Sequence, residues 1–272
     1  MALNWHCLQS MVHLRRTIWG VDFSGARQAG EKIWLARALF NDGTLHIEQL
    51  LRADELPDSG IERDTALAAV AQTLGADTNA IVGLDFPFSL PTESLGGASY
   101  TAFLKASAGF PDSDAFKTAF VDERRRADRE SRTPFSPLNQ RLYKQTFHGI
   151  RDVLRALVES GAQVLPMMEA KEDAVWLIEI CPASTLKKEN LYLSYKGKSV
   201  SQRVNRETIV EALQSRFGVK MDESMIERAI TDTEGDSLDA ILAAVGTLRG
   251  LQDPEALVPR DEIDAVEGRV YF

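Results

Sequence analysis

Cysteine is nearly missing from this chain: Cys7 and Cys181 are the only two in 272 residues. Two thiols so far apart give neither a disulfide framework nor the close spacing of a metal site. Long apolar runs are missing too; no stretch approaches the roughly 20 apolar residues of a membrane-spanning helix. The opening MALNWHCLQS has no basic start and no apolar run, so no secretory leader is expected and the expected compartment is the cytoplasm. Met11 would serve equally well as the start, because the first strand begins only after Arg15-Arg16. Basic residues are in deficit, 31 against 40 acids. A net charge of −9 and a pI near 5.1 are the wrong sign for a protein that coats long duplex. An enzyme that grips nucleic acid through a local basic patch stays open. No P-loop, no G-x-G-x-x-G and no G-x-S-x-G elbow occurs. Gly235-Asp236-Ser237-Leu238 spells the tag of an esterase class, but its serine falls on a late helix and no histidine follows His148. The general base of such a triad is therefore lacking.

What is present begins with Thr17 to Gly25, TIWGVDFSG, an apolar strand that ends on Asp22 and turns at Ser24-Gly25. A strand that delivers a carboxylate to its C-terminal end is one way to build a metal or phosphate site; such an Asp also serves simply to cap a turn. Glu31 to Phe40 and Thr44 to Leu51 read as two further strands. Asn41-Asp42-Gly43 between them supplies the positive φ angles of a tight hairpin, so a three-stranded antiparallel meander is expected. Glu62 to Leu74 carries Leu67, Val70, Ala71 and Leu74 at helical spacing, with Gly75 as its C-cap. Ala80 to Phe86, AIVGLDF, is an apolar run ending at Asp85 and closed by Pro87, the pattern of a strand buried on both faces. Helices are expected over Thr146 to Glu159, Glu207 to Phe217, Asp222 to Ile230 and Glu234 to Leu248. Another buried strand, Ala174 to Ile180, carries Glu179. Glu267 to Phe272 reads as a short edge strand or a core-packing tail. The composition, 44% hydrophobic and 26% charged, is that of an ordinary globular protein. A single domain over 1–272 is expected, with insertions of helix and loop at about 92–143 and 186–230.

The order is then three strands, helix, strand, insertion, helix, strand, insertion, helix. It is the order of the ribonuclease H-like fold: an α/β protein with a mixed five-stranded sheet, an antiparallel meander plus two parallel strands, flanked by helices. In that arrangement Asp22 ends the central strand and Asp85 its parallel neighbour, with Glu179 on the next strand. Asp236 and Asp239, three apart, share one face of the last helix, where the macrodipole also favours acids. Carboxylates crowded into one crevice repel unless a cation neutralises them. Oxygen donors of this kind suit Mg²⁺ or Mn²⁺ rather than zinc. Two such ions about 4 Å apart activate a water and stabilise the leaving oxygen of a phosphodiester.

GVDFSG, GLDFPFSLP, DERRRADRESRTPFSPLNQRLY, IEICPASTL with the following SYKGK, and GDSLDAILAA occur in that order. Together they resemble the family of predicted ribonuclease H-like nucleases catalogued as domain of unknown function 429, from about Thr17 to the end of the chain. The resemblance implies Asp22, Asp85, Glu179 and Asp236 as metal ligands, with Asp239 as the alternative in the last motif. Glu179 departs from the usual placement of acids in such nucleases, and holding an arginine or lysine is its other reading.

Arg124 and Arg126, in a run with Arg125, Arg129 and Arg132, are candidates to clamp phosphates; the interleaved acids give a self-paired helix face instead. Lys187 and Lys196, with Lys188, Lys198, Tyr192 and Tyr195, combine charge and stacking surface of the sort single strands use, or form a surface loop. His148 reads as a proton shuttle or as a hydrogen-bonded histidine at a helix start. The expected activity is metal-dependent hydrolysis of nucleic acid. The alternatives are a nucleotide-binding ATPase or kinase-like protein of the actin-like scaffold, for which the second phosphate loop is missing, and a non-catalytic binding module.

Overall fold

The computed structural model describes residues 5–272; the first four residues of the segment read for a targeting signal lie outside the described residues. Eight strands form one sheet: β1 (Thr17–Asp22), β2 (Trp34–Asn41), β3 (Thr44–Arg52), β4 (Ile81–Leu84), β5 (Gln163–Val164), β6 (Trp176–Ile180), β7 (Val219–Lys220) and β8 (Val270–Tyr271). Their order is β5-β6-β4-β1-β2-β3-β7, and β8 joins the outer edge of β6 beyond β5. The β1-β2-β3 meander is antiparallel and every other pairing is parallel. The chain is thus α/β with a mixed sheet. At the β2–β3 turn Asp42 and Gly43 take φ of 50° and 75°, the left-handed pair a two-residue hairpin requires.

The helices are α1 (Trp5–Leu14), α2 (Arg63–Gly75), α3 (Tyr100–Ala106), α4 (Ser113–Ala119), α5 (Arg126–Glu130), α6 (Tyr143–His148), α7 (Arg155–Glu159), α8 (Pro182–Lys188), α9 (Val200–Phe217), α10 (Glu223–Thr231), α11 (Asp236–Gln252) and α12 (Asp264–Glu267). A π-helical stretch, Gly149–Leu154, joins α6 to α7. Among the described residues no helix is long and apolar enough to cross a membrane.

Strand alternation sorts the core into two layers. Ile18, Ile81, Trp176 and Ile178 face α11, with α9 and α10 packed beyond. Trp19, Val21, Val82, Leu84 and Leu177 face α2, α3, α4 and the α6–α7 helix. The α11 face has a local specialisation at its centre. Gly20 of β1 lies opposite Gly83 of β4, and α11 crosses directly over both. A Cβ at Gly20 would sit 2.1 Å from the backbone nitrogen of Ala244, and one at Gly83 would sit 1.9 Å from Thr247 Oγ1. Only hydrogen at these two positions lets the helix lie so close. Burial of Leu238, Ile241, Leu242 and Val245, worth about 1.5–3 kcal/mol per side chain, then holds it there.

The structure differs from the sequence expectation in three places. Helix α9 starts at Val200, ahead of the helix expected from Glu207, because Ser199 and Gln202 form a capping box. The buried Arg206 guanidinium ties it to the carbonyls of Tyr195, Gly197 and Ile230. The helix expected at Thr146 begins three residues earlier at Tyr143 and passes through the π turn. Helices α1, α8 and α12 and the two-residue strands β5 and β7 are additions to the expected set, and with β8 these strands widen the expected five-stranded sheet to eight among the described residues.

Candidate functional site

Three elements converge at the C-terminal edge of the central strands. Asp22 closes β1, and Asp85 follows β4 by one residue, its N–H donating to the Val21 carbonyl at 3.0 Å. Ile18, Gly20 and Asp22 alternate onto one face, as do Ile81, Gly83 and Asp85. Both carboxylates therefore lie on the side that α11 covers. Gly235, with φ of 79°, reverses the chain just before α11. That places Asp236 and Asp239 in its first turn, above the strand ends.

Lys196 enters this cluster. Its Nζ lies 2.7 Å from Asp239 Oδ2 and 3.2 Å from Asp236 Oδ1. The Tyr195 hydroxyl donates to Asp239 Oδ1 at 2.5 Å. Arg206 holds the carbonyls of Tyr195 and Gly197 on either side of the lysine, which fixes the backbone while leaving the Lys196 side chain 49% exposed. Burial would lower the Lys196 ammonium, but Asp239, Asp22 and Asp236 outweigh it and hold the group above its ordinary value.

Asp22 and Asp85 are differently treated. Among the described residues none donates a hydrogen bond to either carboxylate, and what surrounds them is mostly more negative charge. Burial, then Asp239 and Asp236, push Asp22 well above the usual carboxylate range. Burial, then Asp239, push Asp85 up to about 8. Burial also raises Asp236. Carboxylates left this way are costly unless a cation joins them.

Glu179 belongs to a second cluster. It alternates with Trp176, Ile178 and Ile180, so it faces the opposite side of the sheet from Asp22 and Asp85. There Arg125 Nη1 and Nη2 bind its two oxygens at 2.7 and 2.5 Å, and the Phe88 N–H adds a third bond at 2.9 Å. Arg125 also pairs with Asp128 at 2.7 Å and donates to the Glu267 carbonyl. Of the two readings of Glu179, the structure shows it holding an arginine. Burial raises its pKa while Arg125 opposes the rise.

A cavity of about 590 Å³ opens over the strand ends, lined by Asp22, Asp85, Glu179, Lys196, Asp236 and Asp239. Arg124 and Arg126 do not line it. Arg124 donates to the carbonyls of Asp128 and Thr133, and Arg126 pairs with Asp261 and Asp264. Lys187 also stands outside, donating to the Arg132 carbonyl at 2.9 Å. His148 is buried beside Phe147, its Nδ1 2.8 Å from Asp152, away from the cavity. Lys32, which lines the same cavity, is the participant the sequence reading did not single out; Arg125 and Tyr195 were named there only as phosphate clamp and stacking surface, not as partners of Glu179 and Asp239. Alternation around Trp176 and Ile178 would have put Glu179 on the far face.

Among the described residues no three His, Cys, Asp or Glu side chains converge closely enough to hold a metal ion. The Lys196 ammonium stands among the acids instead. No protein-family model, no curated protein and no solved structure matches the chain, so the family resemblance stands on the ordered motifs alone.

Proposed function

We propose that this protein is a divalent-metal-dependent hydrolase of phosphodiester bonds in nucleic acid, built on a ribonuclease H-like scaffold. The observation that carries the reading is the pair of strand-end carboxylates, Asp22 and Asp85, unpartnered on the floor of a cavity and faced by Asp236 and Asp239. The strand order β3-β2-β1-β4-β6, with an antiparallel meander and two parallel strands, supports the scaffold.

Charge and donor chemistry fit Mg²⁺ or Mn²⁺: the donors are all carboxylate oxygens, and the Asp22 and Asp85 carboxylates accept no hydrogen bond from the described residues. As they stand no three acids among the described residues converge closely enough to hold an ion; once drawn together, Asp22, Asp85 and Asp236 would hold it, and Asp239, bonded to the Tyr195 hydroxyl, faces the same cavity. Such an ion supplies an acidified water and charge stabilisation at a phosphate oxygen. Lys196 keeps the acids paired beforehand. Because its side chain is half exposed, it can withdraw without repacking the core and carry its positive charge to a substrate phosphate. Glu179 and Arg125 fix the loop after β4 through the Phe88 N–H, which sets where Asp85 lies.

A nuclease assay with Mg²⁺ or Mn²⁺ against RNA, DNA, RNA–DNA hybrid and branched DNA tests the proposal. Metal-dependent cleavage of at least one of these, lost in Asp22→Asn, is the expected result. Identical behaviour of the wild type and that variant on every substrate would sink it.

A further inference from the structure

Resting on that reading, the geometry points to single-stranded nucleic acid, taken in one or two nucleotides at a time, as the substrate class. Access is the first reason. Asp22 is only 9% exposed at the bottom of a cavity of about 590 Å³. That volume lies in the range of about 300–1,000 Å³ typical of small-molecule sites. A duplex keeps its phosphates on the outside of a wide, stiff cylinder and cannot lower one of them to that depth. A strand free of its partner bends and splays, and can.

The rim is the second reason. Two aromatic rings line the cavity from opposite stretches of chain: Phe135, between α5 and α6, and Tyr192, between α8 and α9. Each carries a cation over its ring. Lys187 Nζ lies 5.0 Å from the Tyr192 centroid, and the Arg141 guanidinium lies 5.6 Å from that of Phe135. Tyr192 is 56% exposed, although a tyrosine commonly covers its ring. Rings for bases with adjacent cations for phosphates are the elements by which proteins hold single strands without reading sequence. A net charge of −9 gives no general attraction to long duplex; Lys187 and Arg141, just outside the cavity lining, are the cations beside the two rings and would meet the phosphates there.

Fluorescence anisotropy in Ca²⁺ with a labelled strand of about ten nucleotides, the same sequence as blunt duplex, and a labelled mononucleotide tests the inference. The single strand is expected to bind at least about tenfold tighter than either competitor. Tyr192→Ala and Phe135→Ala should each weaken it roughly five- to a hundredfold, while Tyr192→Phe, which keeps the ring, should bind as wild type. With about two phosphates contacted, log K should fall against log salt with a slope of about −1.4. Duplex or mononucleotide bound as tightly as the strand, an unchanged Tyr192→Ala, or no binding at all overturns the inference. Failure of the two readings is distinguishable. Duplex cleaved as readily as single strand leaves the hydrolase and removes the single-strand preference; strand binding without cleavage in Mn²⁺ does the reverse.

Discussion

Two buried charge clusters lie on opposite faces of the same sheet edge, and they are finished to different degrees. Around Arg125, one guanidinium binds both oxygens of Glu179 and both of Asp128, and the backbone N–H groups of Phe88 and Arg125 each add a second bond to one of those oxygens. Around Lys196, one half-exposed ammonium faces Asp22, Asp85, Asp236 and Asp239, and the two strand-end acids accept no hydrogen bond from the described residues. A charge cluster with every partner in place explains itself as structure. One with surplus carboxylates on a cavity floor leaves room for a further cation, and the proposed function rests on this contrast more than on the count of acids.

The sharpest way to break the comparison is Arg125→Met, which strands Glu179 and Asp128. Urea unfolding should show a loss of about 3–5 kcal/mol, the cost of leaving buried charge unpaired. Asp22→Asn should do the converse: stability is kept, and the metal-dependent cleavage rate falls roughly 10²–10³-fold. A variant that unfolds as Arg125→Met does would place Asp22 among the structural acids. Addition of Mn²⁺ at a hundredfold excess over its dissociation constant should stabilise the wild type by about 2.7 kcal/mol, and Asp22→Asn should lose that gain in a thermal melt.

Acidity gives a smaller effect of defined sign. Asp85 is raised from 3.8 to about 8 by burial first and Asp239 second. Between those values the folded state holds a proton that the unfolded chain has released, so its stability without metal falls as pH rises from about 4 to about 8. Asp85→Asn should flatten that slope and add about 1–2 kcal/mol at pH 8; an unchanged slope would show the carboxylate to be well solvated. Least of all, Arg124→Ala should shift unfolding by under about 0.5 kcal/mol, since the residue is exposed and its contacts are to backbone carbonyls.

Much of this was legible in the residues. The Asp42-Gly43 hairpin, the apolar runs of β4 and β6 and the amphipathic α11 have strong local signals, and each acid they carry was identified before its position in space was known. What could not be read depends on distance in sequence. Only the fold shows that Arg125, and neither Arg124 nor Arg126, points inward to a glutamate 54 residues away. Lys196 reaches Asp236 across 40 residues for the same reason. Strands of two residues, β5 and β7, have no period to detect, because their neighbours in the sheet create them. The helical start at Val200 was available in the Ser199–Gln202 pair, but the basic, polar run around it masked the signal.

The position of α11 also has a consequence in time. Its first turn brings Asp236 to acids that lie more than 150 residues earlier in the chain. Domains emerge from the ribosome amino end first, at about 5–20 residues per second, and contacts this distant form late because a long loop must close before they reward it. A growing chain can pair β1 with β2 and β3, yet Asp22 and Asp85 meet their partners only when α11 settles over Gly20 and Gly83. The site comes into being in one late step, so a partly made chain carries no working version of it.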